Sequence, residues 1–183
     1  MKTQYLTAIV LAFIVTSCLT RPHTQHISLT NCAYAPGSKS TNFSHIGDYG
    51  FTIEIPGEWK FIGFDKSSRD NIFSDSLNQR LFIFNGSRGT SSFNKNNLEG
   101  DDFIRLFYNW DAEWYLSNNT RLKTRIIEKN TNNYLIAEYA DSSSVSTSLY
   151  GTKSGNGVRI TIVSECNRSP QTTLISAIYN NLR

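Results

Sequence analysis

Tyr49-Gly50-Phe51-Thr52-Ile53-Glu54-Ile55-Pro56-Gly57-Glu58-Trp59 puts Tyr49, Phe51, Ile53 and Ile55 on one side of the chain and Gly50, Thr52 and Glu54 on the other. A period of two is the pattern of a strand with one face against a core. Pro56 and Gly57 end it, because proline has no amide to give to a ladder. Trp59, Phe61 and Phe64 continue into a second strand, with Gly63 as a bulge. A strand that needs cover on one face calls for a sheet and something laid over it.

The cover is legible downstream. Leu81-Phe82-Ile83-Phe84, within a strand from Arg80 to Asn85, is apolar on both faces and belongs in the middle of a sheet. A polar, Gly-containing loop from Gly86 to Gly100 leads into a helix, with Asp101 or Asp102 expected to cap it. Phe103, Leu106, Phe107, Trp110 and Trp114 fall on one helical stripe and are read as core, opposite Arg105, Asn109 and Glu113. Ile104, Tyr108 and Tyr115 flank that stripe, and Tyr108 and Tyr115 are the candidate binding edge. Strands are then expected over Arg121–Lys129, Tyr134–Ala140, Ser146–Lys153 and Val158–Glu165, with connections short enough for antiparallel pairing. In the last, Val158, Ile160 and Ile162 face inward and Arg159 and Thr161 outward. Ser169 and Pro170 start a closing helix whose Leu174, Ile175, Ile178 and Leu182 dock on the sheet. The fold class is α+β: an antiparallel sheet flanked by a long central helix and a C-terminal helix.

The chain of 183 residues suits one domain, and with 18% charged and 13% aromatic residues it suits a packed one. At its start, Lys2 precedes the apolar run Leu6 to Val15, which is shorter than the roughly 20 residues a membrane-spanning helix needs and reads as a signal segment. Val15-Thr16-Ser17-Cys18 follows and resembles the lipobox of bacterial lipoproteins. That resemblance implies cleavage before Cys18 and acylation of its thiol and new amino group, each buried methylene contributing about 0.8 kcal/mol to the anchor. Leu19 in place of Asp implies the periplasmic face of the outer membrane. The organisation expected is therefore a signal peptide over 1–17, a tether over 18–45 and a domain over 46–183. Two alternatives stay open: an ordinary signal peptide with a released product, and a eukaryotic secreted protein bearing the sequons at Asn42, Asn85 and Asn118.

With Cys18 committed to lipid, Cys32 and Cys166 remain as a candidate disulfide, against the alternative of two buried thiols. A bridge across so long a loop would contribute at most roughly 4–5 kcal/mol. No cofactor is expected, and no metal, since His23, His26 and His45 precede the strand pattern and no CxxC pair exists. The formal charge is +3, and cleavage would remove only Lys2 from that balance, too little to argue for nucleic acid.

The element order, together with the aromatic-Gly-aromatic strand Tyr49-Gly50-Phe51 running into Pro56-Gly57-Glu58-Trp59, resembles the PsbP-like fold of photosystem accessory subunits and DcrB-like bacterial lipoproteins. The resemblance covers about Tyr49 to Arg183. It implies an α/β/α sandwich, an envelope address and accessory or assembly work, and it transfers no catalytic residue. The expected function is thus a non-catalytic, lipid-anchored envelope module with a protein partner. The alternatives are an immunity-type lipoprotein that neutralises a toxin and a hydrolase built on carboxylates, for which Asp101, Asp102, Asp111 and Glu113 are candidates but read more simply as capping and solvation. Arg121, Lys123 and Arg125 share one strand face and read as a solvated surface ahead of a polyanion site.

Overall fold

The alternating strand is real, and it does not stand first. In the computed structural model, which describes residues 39–46, 49–131, 133–164 and 171–183, β1 (Ser40–His45) precedes β2 (Phe51–Pro56) and pairs with it antiparallel. Ser40 to His45, placed in the tether by their polar composition, therefore belong to the folded domain. Phe43 is the reason: it packs between Phe61 and Phe73, each 4.9 Å away between ring centroids. Cys18, Cys32, Cys166, Ser169 and Pro170 lie outside the described residues.

A second sheet of seven strands forms the body. It is built from β3 (Lys60–Asp65), β4 (Asp70–Ser74), β5 (Arg80–Ser87), β6 (Lys123–Asn130), β7 (Tyr134–Ala140), β8 (Val145–Lys153) and β9 (Asn156–Ser164), in the spatial order β3-β4-β5-β9-β8-β7-β6. Every pairing in it is antiparallel. Helix α1 (Gly100–Asn118) covers one face, and helix α2 (Thr172–Asn181) with the β1–β2 hairpin covers the other. The α+β architecture read from the sequence is present, with β4 added. Asp70-Asn71-Ile72-Phe73-Ser74 has no clear apolar alternation, yet Asp70, Asn71 and Phe73 are all buried.

The two faces have different chemistry. Under α2 lie Ile53, Ile55, Phe73, Leu81, Ile83, Leu149, Val158, Ile160 and Ile162, met by Leu174, Ile175, Ile178 and Leu182. This is an aliphatic core of the kind that drives folding at about 25 cal/mol per Å² of apolar surface buried. The hairpin is locked into it from just beyond α2, where Thr52 and Arg183 exchange two backbone hydrogen bonds of 3.0 and 2.9 Å. Under α1 the sheet presents Tyr139, Tyr150, Arg159 and Thr161 alongside Leu135 and Ala137. That second face is polar and aromatic, and the unusual features of the molecule are found there.

Candidate functional site

Period two correctly puts Arg159 opposite Ile160 on β9, but the face it occupies is not wet. Arg159 is buried beneath α1, and the reading of Arg159 and Thr161 as outward-facing into solvent is corrected. Its guanidinium donates from Nη2 to Asp70 Oδ2 at 2.7 Å and from Nη1 to Asp111 Oδ1. Asp70 comes from β4 and Asp111 from α1, so one side chain ties three elements together. Asp111 is itself buried, and its reading as a solvated helix residue is likewise corrected. The network continues outward from Asp111, which accepts a 2.6 Å hydrogen bond from the Tyr150 hydroxyl. Because that proton points at the carboxylate, Tyr139 is the donor in its 2.7 Å contact with the Tyr150 oxygen.

The electrostatics follow from burial. Desolvation raises the Asp111 carboxyl above its ordinary value, and the nearby Arg159 charge and the Tyr150 hydrogen bond pull back only part of that rise. Burial also raises the Tyr150, Tyr139 and Tyr115 phenols, so all three are neutral at physiological pH. Burial alone would lower Arg159, but the carboxylates facing it outweigh that and hold it raised and charged. Asp70 Oδ1 and Arg159 Nε are buried with no hydrogen-bond partner among the described residues, so the cluster carries a desolvation cost. Two carboxylates do converge here, but they converge on a guanidinium that holds them sealed under a helix.

Burying Asp111 sets the rotation of α1. The inward residues are Phe103, Ile104, Phe107, Asp111 and Ala112, while Trp110 and Trp114 are 43% and 58% exposed. The apolar stripe expected to be core is thus split: Phe103 and Phe107 are covered, and the two tryptophans form a ridge on the outer surface. The tyrosines predicted as the edge of a groove are half-buried. Tyr108 reaches Thr124 at 3.3 Å, and Tyr115 sits between Tyr139 and Trp114, with ring centroids 5.3 and 5.0 Å away. Tyr115 is the footing of the ridge, and the exposed ring area belongs to the tryptophans. One side of the ridge is closed by Phe93, stacked on Trp110 at 4.9 Å. Phe93 is held there by its neighbour Asn94, a buried amide that bonds the backbone of Arg88 and Leu98 and so fixes the loop after β5.

Other predicted groups resolve more simply. Asp101 and Asp102 lie in the first helical turn without capping it: Glu99 is the N-cap residue, and its side chain makes no capping bond. Asp101 instead pairs with Lys129 at 2.7 Å. Arg121, Lys123 and Arg125 line an open cleft of about 520 Å³. Glu138 and Asp141 share it, and Arg125 forks onto Glu138 at 2.8 and 3.3 Å, so the cleft is of mixed sign. His45, read as preceding the fold, lies in β1 with Nδ1 3.1 Å from Asn71 Oδ1. Among the described residues no group of three or more His, Cys, Asp or Glu side chains is arranged to hold a metal.

No protein-family model matches the chain, and no curated protein matches it in sequence. Its architecture is similar to the solution structure of cyanobacterial PsbP (CyanoP) from Synechocystis sp. PCC 6803. The match covers 83% of this chain and 96% of that one, with a TM-score of 0.54 at 10% identity. A crystal structure from Bacteroides thetaiotaomicron VPI-5482 matches 78% of this chain and 47% of that one, with a TM-score of 0.41 at 14% identity. The fold is PsbP-like, as the opening strand and element order implied; at this identity the likeness concerns the fold alone.

Proposed function

We propose that the chain is a lipid-anchored protein of the bacterial envelope, attached through Cys18 at the periplasmic face of the outer membrane, and that it works as a non-catalytic binding or accessory module. The fold supports an accessory or binding role. The observation that carries the reading is the division of labour on α1, which directs its buried acid inward onto Arg159 and its tryptophans outward. Tryptophan, tyrosine and arginine are the residues that dominate protein-protein hot spots. Trp110, Trp114 and Tyr115 supply the aromatic part of that set on one helix, and an envelope protein is the partner they suit.

Two measurements test this. Crosslinking in intact cells captures a protein partner with the native chain and loses it with Trp110→Ser/Trp114→Ser, while the melting temperature of the variant stays near that of the native protein. Substrate turnover that disappears on changing one side chain refutes the non-catalytic reading. Mass spectrometry of the mature N-terminus reports an acylated Cys18, and Cys18→Ser blocks fatty-acid incorporation; an unmodified residue 18 in the native protein refutes the anchor.

A further inference from the structure

β3 is an edge of the seven-stranded sheet, and it is an apolar one: Phe61, Ile62 and Phe64 are 43%, 45% and 43% exposed. An edge of this kind offers unpaired backbone amides and carbonyls to any strand that fits. Its sequence, Lys60-Phe61-Ile62-Gly63-Phe64-Asp65, is its own antiparallel complement. Laid against a copy of itself about a two-fold axis, Lys60 falls opposite Asp65, Phe61 opposite Phe64, and the branched Ile62 opposite Gly63.

The bulge makes the pairing three-dimensional. Two residues three apart point to opposite faces of an unbroken strand. Here the register against β4 slips between Phe61 and Gly63, leaving Ile62 as the extra residue, and both phenylalanines reach the face that carries β1. Phe61 stacks on Phe43 at 4.9 Å, and Phe64 lies 5.3 Å from the His45 ring. Lys60 and Asp65 pair in register with Ser74 and Asp70, which are four positions apart on β4, so both lie on the other face. A bulged edge is a poor template for a straight strand, but a two-fold axis brings identical bulges face to face. Lys60 has no ion pair to a described residue, and Asp65 is held by the amide and hydroxyl of Ser67 at 2.8 and 2.7 Å.

We infer that β3 pairs antiparallel with β3 of a second copy of this chain, joining two seven-stranded sheets across a cluster of four phenylalanines bounded by two Lys60–Asp65 ion pairs. The occupant is a second copy because charge, ring and size complement each other at all six positions, which a generic extended peptide has no reason to reproduce. Such an interface is isologous, as most homodimer interfaces are.

Sedimentation equilibrium of the full chain in density-matched detergent, over micromolar concentrations, reads the association. The native chain dimerises. Lys60→Asp puts like charges opposite each other at both ends and weakens the dimer roughly ten-fold or more. The exchange Lys60→Asp/Asp65→Lys restores it. Should Asp65→Lys disturb the turn at Ser67, the comparison of Lys60→Arg with Lys60→Asp decides, since arginine keeps the pair and aspartate loses it. Trp114→Ser leaves the dimer intact, which separates this edge from the α1 ridge. A chain that is monomeric throughout the range, equal effects of Arg and Asp at position 60, or loss of the dimer with Trp114→Ser overturns the inference.

Discussion

Arg159→Met removes the cation that joins two buried carboxylates while keeping most of the side chain's bulk. The native guanidinium meets Asp70 and Asp111 with side chains that are almost wholly withdrawn from water. Removing one partner of a buried pair costs about 3–5 kcal/mol, chiefly because the remaining charge is stranded. For a chain of this size each kcal/mol lowers the melting temperature by about 2–4 °C, so the variant should melt roughly 6–20 °C below the native protein at pH 7. The stranded charge has an escape: the Asp111 carboxyl is already raised by burial, and with Arg159 gone it takes up a proton more readily as the pH falls, so the deficit measured at about pH 5 should be smaller than that at pH 7. Urea titrations of both proteins at the two pH values, compared at equal m, read this directly. A loss below about 1 kcal/mol at pH 7, or a deficit of the same size at both pH values, would show that Arg159 does not neutralise the pair. The combination Asp70→Leu/Asp111→Leu/Arg159→Met should recover most of the stability, since an apolar replacement removes the desolvation cost along with the attraction.

Two further outcomes are expected. Asp111 has a folded-state value raised by burial, so between that value and its unfolded value near 3.8 the native state binds more protons than the unfolded one. Its contribution to stability therefore rises as the pH falls through that window, and the stability gap between native protein and Asp111→Asn, followed by denaturant melts, should change in favour of the native protein on acidification; a pH-independent gap refutes the assignment. Gly151→Ala should cost about 1–3 kcal/mol, because a β-carbon there would lie 2.8 Å from the Asn133 carbonyl oxygen and 2.8 Å from the Tyr179 ring. Gly89→Ala, which meets only an ordinary 3.9 Å contact, should stay within about 0.5 kcal/mol, and equal costs for the two would contradict the packing described.

What the sequence disclosed and what it hid divide along physical lines. Side chains that share a face can be read from spacing, so the inner residues of β2, β9 and α2 were legible. Spacing does not say what lies against the opposite face. Arg159 looked solvated because a charged residue opposite isoleucine on a strand usually is, and only the arrival of α1, Asp70 and Asp111 from distant parts of the chain makes its burial tolerable. The same cluster explains the misplaced tryptophans. The largest apolar arc of α1 includes Trp110 and Trp114, but satisfying Asp111 turns the helix so that this arc is only half covered. β1 and β4 were invisible for a related reason: Asn42, Ser44, Asp70 and Asn71 are ordinary loop residues until long-range partners pair them.

The reciprocal bonds between Thr52 and Arg183 have a kinetic consequence. The first hairpin cannot complete its seat until Arg183 arrives, and Asn181 adds a bond to the Glu54 carbonyl spanning 127 positions of sequence. Contacts that distant slow folding, because the loop entropy is lost before the contact returns anything. A chain emerging from a ribosome or a translocation pore, amino end first, would hold Phe51, Ile53 and Ile55 open until α2 is released, and loss of Arg183 would leave that side of the sheet unlatched.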